Sequence, residues 1–258
     1  MTRPALSATR AVAVLNFLAA HAAEEFTLTD LAAKLDINLA SAHALLAVLT
    51  DAGYVTRHQR LRTYSLGPSV VALGNAALER HPAIEHAHQE ARRLSGELGL
   101  GVAVTALAGN DILFLERVGE HRPRDIGVQV GQRVPLVPPV GAVFVAWHDA
   151  ESWLARADNR QDMEEVLADV RSRGWAAALG NPPSTDYEAL ATLDPHRAYD
   201  VVMIAAPVFG RGGDAVVSLT LLGMEPGLPA QRVAALGESV RDACLVATRR
   251  SGGRAPAG

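Results

Sequence analysis

Apolar positions recur with helical spacing in three short segments near the start of the chain. The segments are "SATRAVAVLNFLAAH" at 7–21, "TLTDLAAKLDI" at 27–37 and "NLASAHALLAVLT" at 38–50. This spacing predicts amphipathic helices, and Thr29 is the expected N-cap of the second one. In "GYVTRHQRLRTYSLG", residues 53–67, two apolar pairs flank a polar and basic centre, which predicts two short strands joined by a hairpin. Three helices followed by such a hairpin are typical of a winged helix-turn-helix domain.

A different pattern begins after Pro68. Two helical segments, near 69–81 and 82–99, precede a series of strand-like runs that are separated by turns. A helical region near 150–173, a proline-rich loop and an amphipathic helix at 229–250 belong to the same part of the chain. A sheet with helices on its faces indicates an α+β domain. We therefore expect a winged helix-turn-helix domain at 1–67, a linker helix at 68–81, an α+β domain at 82–250 and a flexible tail at 251–258.

The composition agrees with a folded chain and narrows the class of function. Hydrophobic residues make up 49% of the 258 residues and charged residues 20%, so a sizeable core can form. The net charge of −4 argues against a chain-wide nucleic-acid coat, although residues 1–80 carry +1 and the remainder carries −5. The single cysteine, Cys244, excludes an internal disulfide and is expected to be a buried thiol. No apolar run is long enough to cross a bilayer, and no signal peptide is visible. We expect a cytoplasmic, soluble protein without a membrane partner.

Several phrases of the chain, taken in order, resemble the IclR family of bacterial transcription regulators. The segment "LTDLAAKLDINLASAHALLAVLTDAGYV" is similar to that family's helix-turn-helix, and "RTYSLGP" is similar to the closing strand of its wing. The phrases "DILFLERV", "VGQRVPL", "VRSRGWA" and "IAAPVF" resemble its second domain. The resemblance implies a winged-helix domain joined by a linker helix to a GAF-like domain that binds a small-molecule effector. It also implies a homodimer or tetramer that binds a double-stranded DNA operator as a repressor or an activator.

The segment that matches the family's DNA-reading helix carries neither Lys nor Arg. Leu39 stands where family members commonly have a basic residue, and Ala44 stands where they commonly have Arg. Ser41 and His43 can still donate to base edges or phosphates, and Asn38 can contact a phosphate near the helix N-terminus. The alternatives are that Asn38 only caps the helix and that His43 is a solvated surface residue.

The charge that this helix lacks is present in the neighbouring hairpin. The run "RHQRLR" contains Arg57, His58, Arg60 and Arg62 and no acidic residue. A basic run is often only a solvated surface, but its place at a hairpin tip beside the reading helix favours phosphate or minor-groove contact. We expect the wing arginines to supply most of the affinity for DNA, while the helix reads shape and small polar groups.

In the family, the effector site lies between the sheet and a loop that corresponds here to "PLVPPVGAVFVAW", residues 135–147. This loop is one residue shorter and lacks the usual Thr-Ala and Lys, and Leu222 stands where Ser is common. Fewer hydroxyl and N–H groups predict an aromatic, terpenoid or lipid-like effector rather than a small keto acid. The expected effector-binding residues are Leu136, Pro139, Gly141, Ala142, Ile204, Ala205, Thr220 and Leu222. The alternative is a degenerate pocket in a module that binds DNA without a ligand or binds another protein.

No set of residues supports catalysis, a metal or a resident cofactor. His86 and His88 diverge on a helix, and His81 with Glu85 supplies only two ligands. The glycines of "GELGLG" follow a helix rather than a strand, which is the wrong context for a dinucleotide loop. The sequence therefore predicts a DNA-binding regulator rather than an enzyme. The competing class is a protein whose winged helix contacts another protein.

Overall fold

The computed structural model describes residues 5–109, 111–122, 125–136, 141–147, 160–180, 187–190 and 192–256. The chain divides into two compact units. The N-terminal unit is Met1–Arg80 with Gln129–Gln132, and the C-terminal unit is His81–Val128 with Arg133–Gly258. Each unit has buried clusters of its own.

The N-terminal unit consists of short helices and a small antiparallel sheet. Its elements are α1 (Leu6–Ala20), β1 (Phe26–Thr27), α2 (Leu28–Lys34), α3 (Leu39–Asp51), β2 (Val55–Arg57), β3 (Thr63–Leu66) and α4 (Pro68–Arg80). The strands lie in the order β1–β3–β2. Apolar residues at the predicted helical positions meet in one core, including Val14, Leu18, Leu31, Leu46 and Leu49. The predicted winged helix-turn-helix is confirmed, with β1 as an additional strand of its sheet.

The N-cap of α2 is Thr27, so the prediction of Thr29 is wrong. Thr27 Oγ1 accepts a hydrogen bond from the backbone N–H of Asp30 at 3.3 Å. The Asp30 carboxylate accepts one from the backbone N–H of Thr27 at 2.9 Å. This capping box requires an acceptor side chain three residues after the cap, which Thr27 has and Thr29 lacks. The hydrogen bonds from Thr27 also hold the pKa of Asp30 below its usual value.

Two helices that each begin with a proline follow the wing. None of the residues of α4 is buried, whereas α5 (Pro82–Leu98) buries Ala87, Ala91 and Leu94 against the sheet of the C-terminal unit. Gly99 ends α5 with a φ of 63°, a left-handed conformation that glycine adopts without a Cβ penalty.

The C-terminal unit is built on a seven-stranded antiparallel sheet. After α5, its elements are β4 (Gly101–Ala108), β5 (Asp111–Val118), β6 (Arg133–Pro135), α6 (Ala142–Val145), α7 (Arg160–Arg173), β7 (Ala176–Leu179), β8 (Glu188–Ala189), β9 (Ala198–Tyr199), β10 (Val201–Phe209), β11 (Ala215–Leu222), β12 (Leu228–Pro229) and α8 (Ala230–Arg250). The strand order is β6–β5–β4–β11–β10–β7–β8, and β9 pairs with β12 separately. The α+β prediction is confirmed.

The central strands of this sheet direct alternate side chains to two different cores. Leu219 and Leu221 of β11 pack with α5 and α8, on what we call the α5 face. Because side chains alternate along a strand, Ser218 and Thr220 lie on the opposite face. The short helix α6 lies against β11 and β10, and its residues form a second cluster with residues of α7 and β10. We call this side the α6 face.

Residues 251–256 form part of the C-terminal unit, so the prediction of a flexible tail is wrong for them. The N–H of Arg254 donates to Gly210 O at 3.0 Å, and the N–H of Gly253 donates to Thr248 O at 2.8 Å. A Cβ at Gly253 would lie 2.0 Å from Phe209 O. The segment therefore follows the β10–β11 turn so closely that only glycine fits at this position.

Among the described residues, no single helix is long and apolar enough to cross a bilayer. Helices α2 and α3 meet the criterion only as a pair, and that pair is bent by 115°.

Candidate DNA-binding surface and effector site

The helix α3, which was predicted to read DNA, begins with a side-chain cap. Asn38 Oδ1 accepts a hydrogen bond from the backbone N–H of Ser41 at 2.8 Å. The cap fixes the entry of the helix and satisfies one of its free N–H groups. The capping role that the sequence left open for Asn38 is therefore present, and it leaves only the side-chain NH₂ group of this residue for a phosphate.

The outer face of α3 is apolar apart from a few small polar groups. His43 is exposed and Ser41 is half-buried. Ala40 and Ala44 are exposed beside them, and the Leu39 side chain is 53% exposed. Leu46 and Leu49 point into the core. This arrangement places the predicted reading residues Ser41 and His43 on the accessible side of the helix.

The turn between β2 and β3, which we call the wing tip, is closed by His58. The N–H of His58 donates to Thr63 O at 2.8 Å, and the N–H of Arg62 donates to His58 O at 2.8 Å. His58 Nδ1 accepts a third hydrogen bond, from the N–H of Leu61 at 3.1 Å. Arg62 has a φ of 57°, a left-handed conformation that is uncommon outside glycine and typical of tight turns.

The wing arginines are open to solvent. Arg57, Arg60 and Arg62 are all exposed, and within the described part of the chain none of them forms an ion pair with a carboxylate. Arg57 lies over the ring of Tyr64, with its guanidinium carbon 5.8 Å from the ring centroid, which is within the range of a cation–π contact. Because Tyr64 is buried, its ring is held in place, and the contact positions the Arg57 guanidinium at the base of the wing.

Six of the eight residues expected to bind an effector lie at α6 or on the α6 side of the sheet. Gly141 and Ala142 are buried at the start of α6, and Leu136 packs beside that helix. Ala205, Thr220 and Leu222 lie on the α6 side of the sheet. Pro139 lies outside the described residues.

Ile204 does not belong with the other predicted effector-binding residues. It packs with Leu219 and Leu221 in the core on the α5 face, whereas its neighbour Ala205 packs on the α6 face. Two consecutive strand residues point to opposite faces of a sheet, so Ile204 and Ala205 cannot line the same side. The prediction for Ile204 is therefore wrong.

Two polar residues that the sequence analysis did not select lie beside Thr220. Thr105 of β4 is directly opposite Ser218 of β11, and both are fully buried. Ser218 Oγ is 3.4 Å from Thr220 Oγ1. For Ser218 the available signal was its spacing of two positions from Thr220 in "SLTLL", which places both hydroxyls on one face of a strand.

The segment that leads from β5 toward β6 is tied down by a buried ion pair. The Arg117 guanidinium contacts the Asp125 carboxylate, with side chains only 8% and 3% exposed. Arg117 also donates to Gly119 O at 2.8 Å. Ile126 and Val128, just after Asp125, pack with Leu222 and its neighbours. The ion pair thus positions apolar residues over one end of the α6 face.

Cys244 and His88 could in principle be reactive, but both occupy positions that favour a structural role. Cys244 is buried, its Sγ donates to Ala206 O at 3.2 Å, and burial raises the pKa of its thiol well above the usual range. His88 lies 3.5 Å from the Glu116 carboxylate on the α5 side. Within the described residues, no three His, Cys, Asp or Glu side chains are grouped so as to hold a metal ion.

Comparison with known proteins shows which domain family the N-terminal unit matches. Residues 7–59 match the family model of the IclR helix-turn-helix domain. The regulator BhcR of Paracoccus denitrificans is 24% identical, over 91% of this chain and 83% of its own length. The glycerol operon regulatory protein of Streptomyces griseus is 28% identical, with 98% of each chain covered. The Pca regulon regulatory protein of Pseudomonas putida is 26% identical, over 76% of this chain and 66% of its own.

Solved structures share the fold of the whole chain. An IclR transcriptional regulator from Alicyclobacillus acidocaldarius superimposes with a TM-score of 0.73 at 22% identity, covering 97% of this chain and 100% of that one. An IclR homolog of Microbacterium hydrocarbonoxydans, crystallised with 4-hydroxybenzoate, has a TM-score of 0.68 at 19% identity, covering 95% and 98%. The predicted combination of a winged helix-turn-helix with a GAF-like α+β domain is confirmed.

The matched helix-turn-helix domain identifies the DNA-binding class, and the named regulators align with most of the chain. These proteins are regulators of transcription rather than enzymes, as the sequence predicted. Residues 7–59 of this chain therefore form an IclR helix-turn-helix domain, and the chain resembles IclR-family DNA-binding transcriptional regulators along most of its length.

Proposed function

We propose that this regulator binds a double-stranded operator through its wing arginines and changes its DNA affinity when the C-terminal unit binds a small, rather apolar effector. The observation that carries the proposal is the set of three exposed wing arginines without carboxylate partners in the described chain, held by an ordered wing tip beside a nearly uncharged α3. The protein acts in the cytoplasm, where operator DNA is accessible.

Arg57, Arg60 and Arg62 supply the phosphate contacts in this proposal. A guanidinium that already pairs with a carboxylate gains little from a phosphate, whereas a solvated one releases condensed counterions when it binds DNA. The closed wing tip supports the role, because the arginines then project from a fixed turn. His58 contributes through that turn and through its free Nε2.

Base recognition falls to α3. Ser41 and His43 donate to base edges, and the side-chain NH₂ of Asn38 reaches a phosphate while its Oδ1 keeps the cap. The exposed alanines of α3 allow close approach to the bases. Substitutions at His43 or Ser41 are then expected to change sequence preference, while substitutions in the wing weaken binding to all sequences.

Fluorescence anisotropy with a labelled fragment from upstream of the protein's own coding sequence tests the DNA-binding part. The variant Arg57→Ala/Arg60→Ala/Arg62→Ala is expected to lose at least about 100-fold in affinity in dilute buffer, because several charge contacts disappear together. The matched control is Arg211→Ala/Arg232→Ala/Arg249→Ala, which removes the same charge from exposed positions of the C-terminal unit. Equal affinity of the two variants would refute the role of the wing.

The effector part of the proposal rests on the α6 face. Ala142, Ala205 and Leu222 are buried there and apolar, and the buried Arg117 cation at one end of that face is already paired with Asp125, so it is not available as a partner for an anion. A carboxylate is costly to bury without such partners. The complex of the Microbacterium homolog with 4-hydroxybenzoate supports an aromatic ligand as a starting point. Leu136 and Gly141 complete the proposed lining among the described residues, and Pro139 remains a proposed contact from the sequence.

Isothermal titration separates the possible effectors. Aromatic and terpenoid compounds are expected to bind, whereas glyoxylate and pyruvate are not; tight binding of either keto acid would overturn the apolar assignment. If neither panel binds while DNA binding persists, the alternative holds, in which the domain is a degenerate module that binds DNA without a ligand or contacts a protein.

Self-association completes the proposal. We assign α4 as the linker between the DNA-binding domain, residues 1–67, and the effector domain, which starts at residue 82. Large apolar residues are exposed on α1 and α4: Leu6, Val12, Val71 and Leu73. Exposed apolar surface of this kind favours a protein partner, and a second copy makes a homodimer or, with further contacts, a tetramer. A ligand then acts by favouring one arrangement of the two linkers. Light scattering of wild type and Val71→Asp/Leu73→Asp checks this, because the variant is expected to be monomeric.

A further inference from the structure

Three buried hydroxyl groups are clustered on the α6 face of the sheet. Thr105 lies opposite Ser218, and Thr220 lies opposite Ala103. The same two β11 residues lie opposite Pro207 and Ala205 of β10. Directly paired residues on one face have Cβ atoms about 4.5–5.5 Å apart. The three hydroxyls therefore form one patch on the adjacent strands β4 and β11, with Ala103, Ala205, Pro207 and the larger Phe114 as their cross-strand neighbours.

This patch has hydrogen-bonding capacity that the protein does not use. The Thr105 hydroxyl is buried and has no hydrogen-bond partner within the described residues. The contact between Ser218 and Thr220 is 3.4 Å long, well beyond the usual 2.7–2.8 Å of an O–H···O bond. A buried hydroxyl without a partner destabilises a fold, and a valine in place of Thr105 would have avoided that cost.

The electrostatic surroundings favour a neutral partner for these hydroxyls. The buried Glu90 is on α5 and therefore in the layer on the other side of the sheet. Arg117 is paired with Asp125 and turned toward Gly119. Arg171 donates its Nε to Ala146 O at 2.6 Å. The charge of Arg117 is therefore already neutralised by Asp125, and Arg171 is an exposed residue whose Nε is held by a carbonyl at the end of α6.

We propose that Thr105 and Ser218, together with Thr220, are the specificity-determining residues of the effector site and that they bind an uncharged oxygen, as in a ketone, ester or alcohol. This inference rests on the proposed effector site and adds the class of polar group that the effector must carry. The hydroxyls of Thr105 and Ser218 donate to that oxygen, beside the small side chains of Ala103 and Ala205. The rest of the effector contacts the apolar residues of α6.

Two matched series of probes test the chemical class without knowledge of the natural effector. One is acetophenone, benzoate and ethylbenzene, and the other is 2-heptanone, hexanoate and heptane. Within each series the members have similar size and differ in the polar group. By isothermal titration, the ketone is expected to bind at least about tenfold more tightly than its carboxylate and hydrocarbon counterparts, which corresponds to the gain from one satisfied buried hydrogen bond.

Variants at Thr105 show whether its unpaired hydroxyl binds the effector or is only an unsatisfied buried group. Thr105→Val keeps the shape and removes the hydroxyl, so the ketone preference is expected to disappear while the melting temperature of the free protein rises. Thr105→Ser keeps the hydroxyl and is expected to keep the preference. Ser218→Ala is expected to weaken ketone binding in the same direction. Thr192→Val, at an exposed position of the same unit where the hydroxyl donates to Asp169 at 3.2 Å, is the control that should leave the ketone preference unchanged and should not raise the melting temperature.

The outcomes separate this inference from the proposed function. A ketone preference that survives Thr105→Val, or a wild-type protein that binds no ketone better than its hydrocarbon counterpart, overturns the inference. Operator binding is measured on the same samples without probes. If operator binding is intact while the preference is missing, the hydroxyl assignment fails and the DNA-binding function stands. If operator binding itself is missing, the proposed function fails.

Discussion

The ring of His58 accepts a hydrogen bond from the backbone N–H of Leu61 at 3.1 Å, so a residue expected to contact DNA also closes the wing tip. An acceptor side chain that binds an N–H a few residues later stabilises a turn much as Asn and Asp do. In this wing the turn contains both Arg60 and Arg62. The geometry that presents the two guanidinium groups therefore depends on a neighbouring imidazole.

His58→Ala is expected to weaken operator binding by about fivefold, roughly the effect of one lost hydrogen bond, because the wing tip becomes less ordered. The log–log salt slope should stay unchanged, since no guanidinium is removed. His58→Asn restores an acceptor that can reach the turn and should recover most of the affinity. Anisotropy titrations at several salt concentrations make the measurement. Wild-type affinity in His58→Ala would show that the turn does not need the ring.

Arg60→Ala is expected to act on the salt slope itself. If three arginines in each protomer of a dimer contact phosphates, about six charges are neutralised and the slope is near −5. Removing Arg60 deletes two of those contacts and should make the slope shallower by about 1.8. The loss of affinity should be similar for specific and unrelated DNA. Arg211→Ala, exposed on the C-terminal unit, is the control and should leave the slope as it was.

Periodicity was sufficient to predict the helices, the wing and the α+β class, because one buried face fixes the spacing of apolar residues. It was not sufficient at element ends. Thr27 and Thr29 are both good caps by type, and only the reciprocal bonds with Asp30 choose between them. The close course of residues 251–256 along the β10–β11 turn depends on a backbone approach at Gly253 that leaves no periodic trace.

The effector side was harder to predict because adjacent strand residues diverge. The resemblance to the family selected Ile204 and Ala205 together, because they are adjacent in one phrase. In the pleated strand their side chains point to opposite faces of the sheet. Thr105 was missed because its relation to Ser218 is a cross-strand pairing, and the residues are more than a hundred positions apart in the chain. The register that brings them together is a property of the whole sheet.

His88 is expected to make stability dependent on pH. Burial lowers its pKa in the folded state from 6.5, and the neighbouring Glu116 carboxylate opposes this only in part; its Nε2 is buried without a hydrogen-bond partner in the described chain. The unfolded chain then binds a proton more readily than the folded one. Stability should therefore be fully present above pH 6.5 and fall as the pH drops toward the folded-state value.

Urea unfolding at pH 7.5 and pH 5.5 measures this dependence. His88→Gln removes the titrating group, so the loss of stability between the two pH values should be smaller in the variant than in the wild type. His86→Gln, on the same helix but hydrogen-bonded only to Gln89 at 3.4 Å, is the control. An unchanged pH dependence in His88→Gln would locate the acid sensitivity elsewhere.

Any side chain at Gly237 is expected to destabilise the protein, although this residue lies within the long helix α8. A Cβ at this position would lie 2.2 Å from Trp175 Cε2. The indole cannot easily move away, because it is buried and the Arg173 guanidinium carbon lies 4.2 Å from its ring centroid. Gly237→Ala should therefore destabilise the protein by about 1–3 kcal/mol, even though alanine is the better helix former. Gly96→Ala, also in a helix but with nothing within 4 Å of the added Cβ, should stabilise it by up to about 1 kcal/mol. Urea unfolding of the two variants makes the comparison, and equal stabilities would mean that the α8 backbone can move away from the ring.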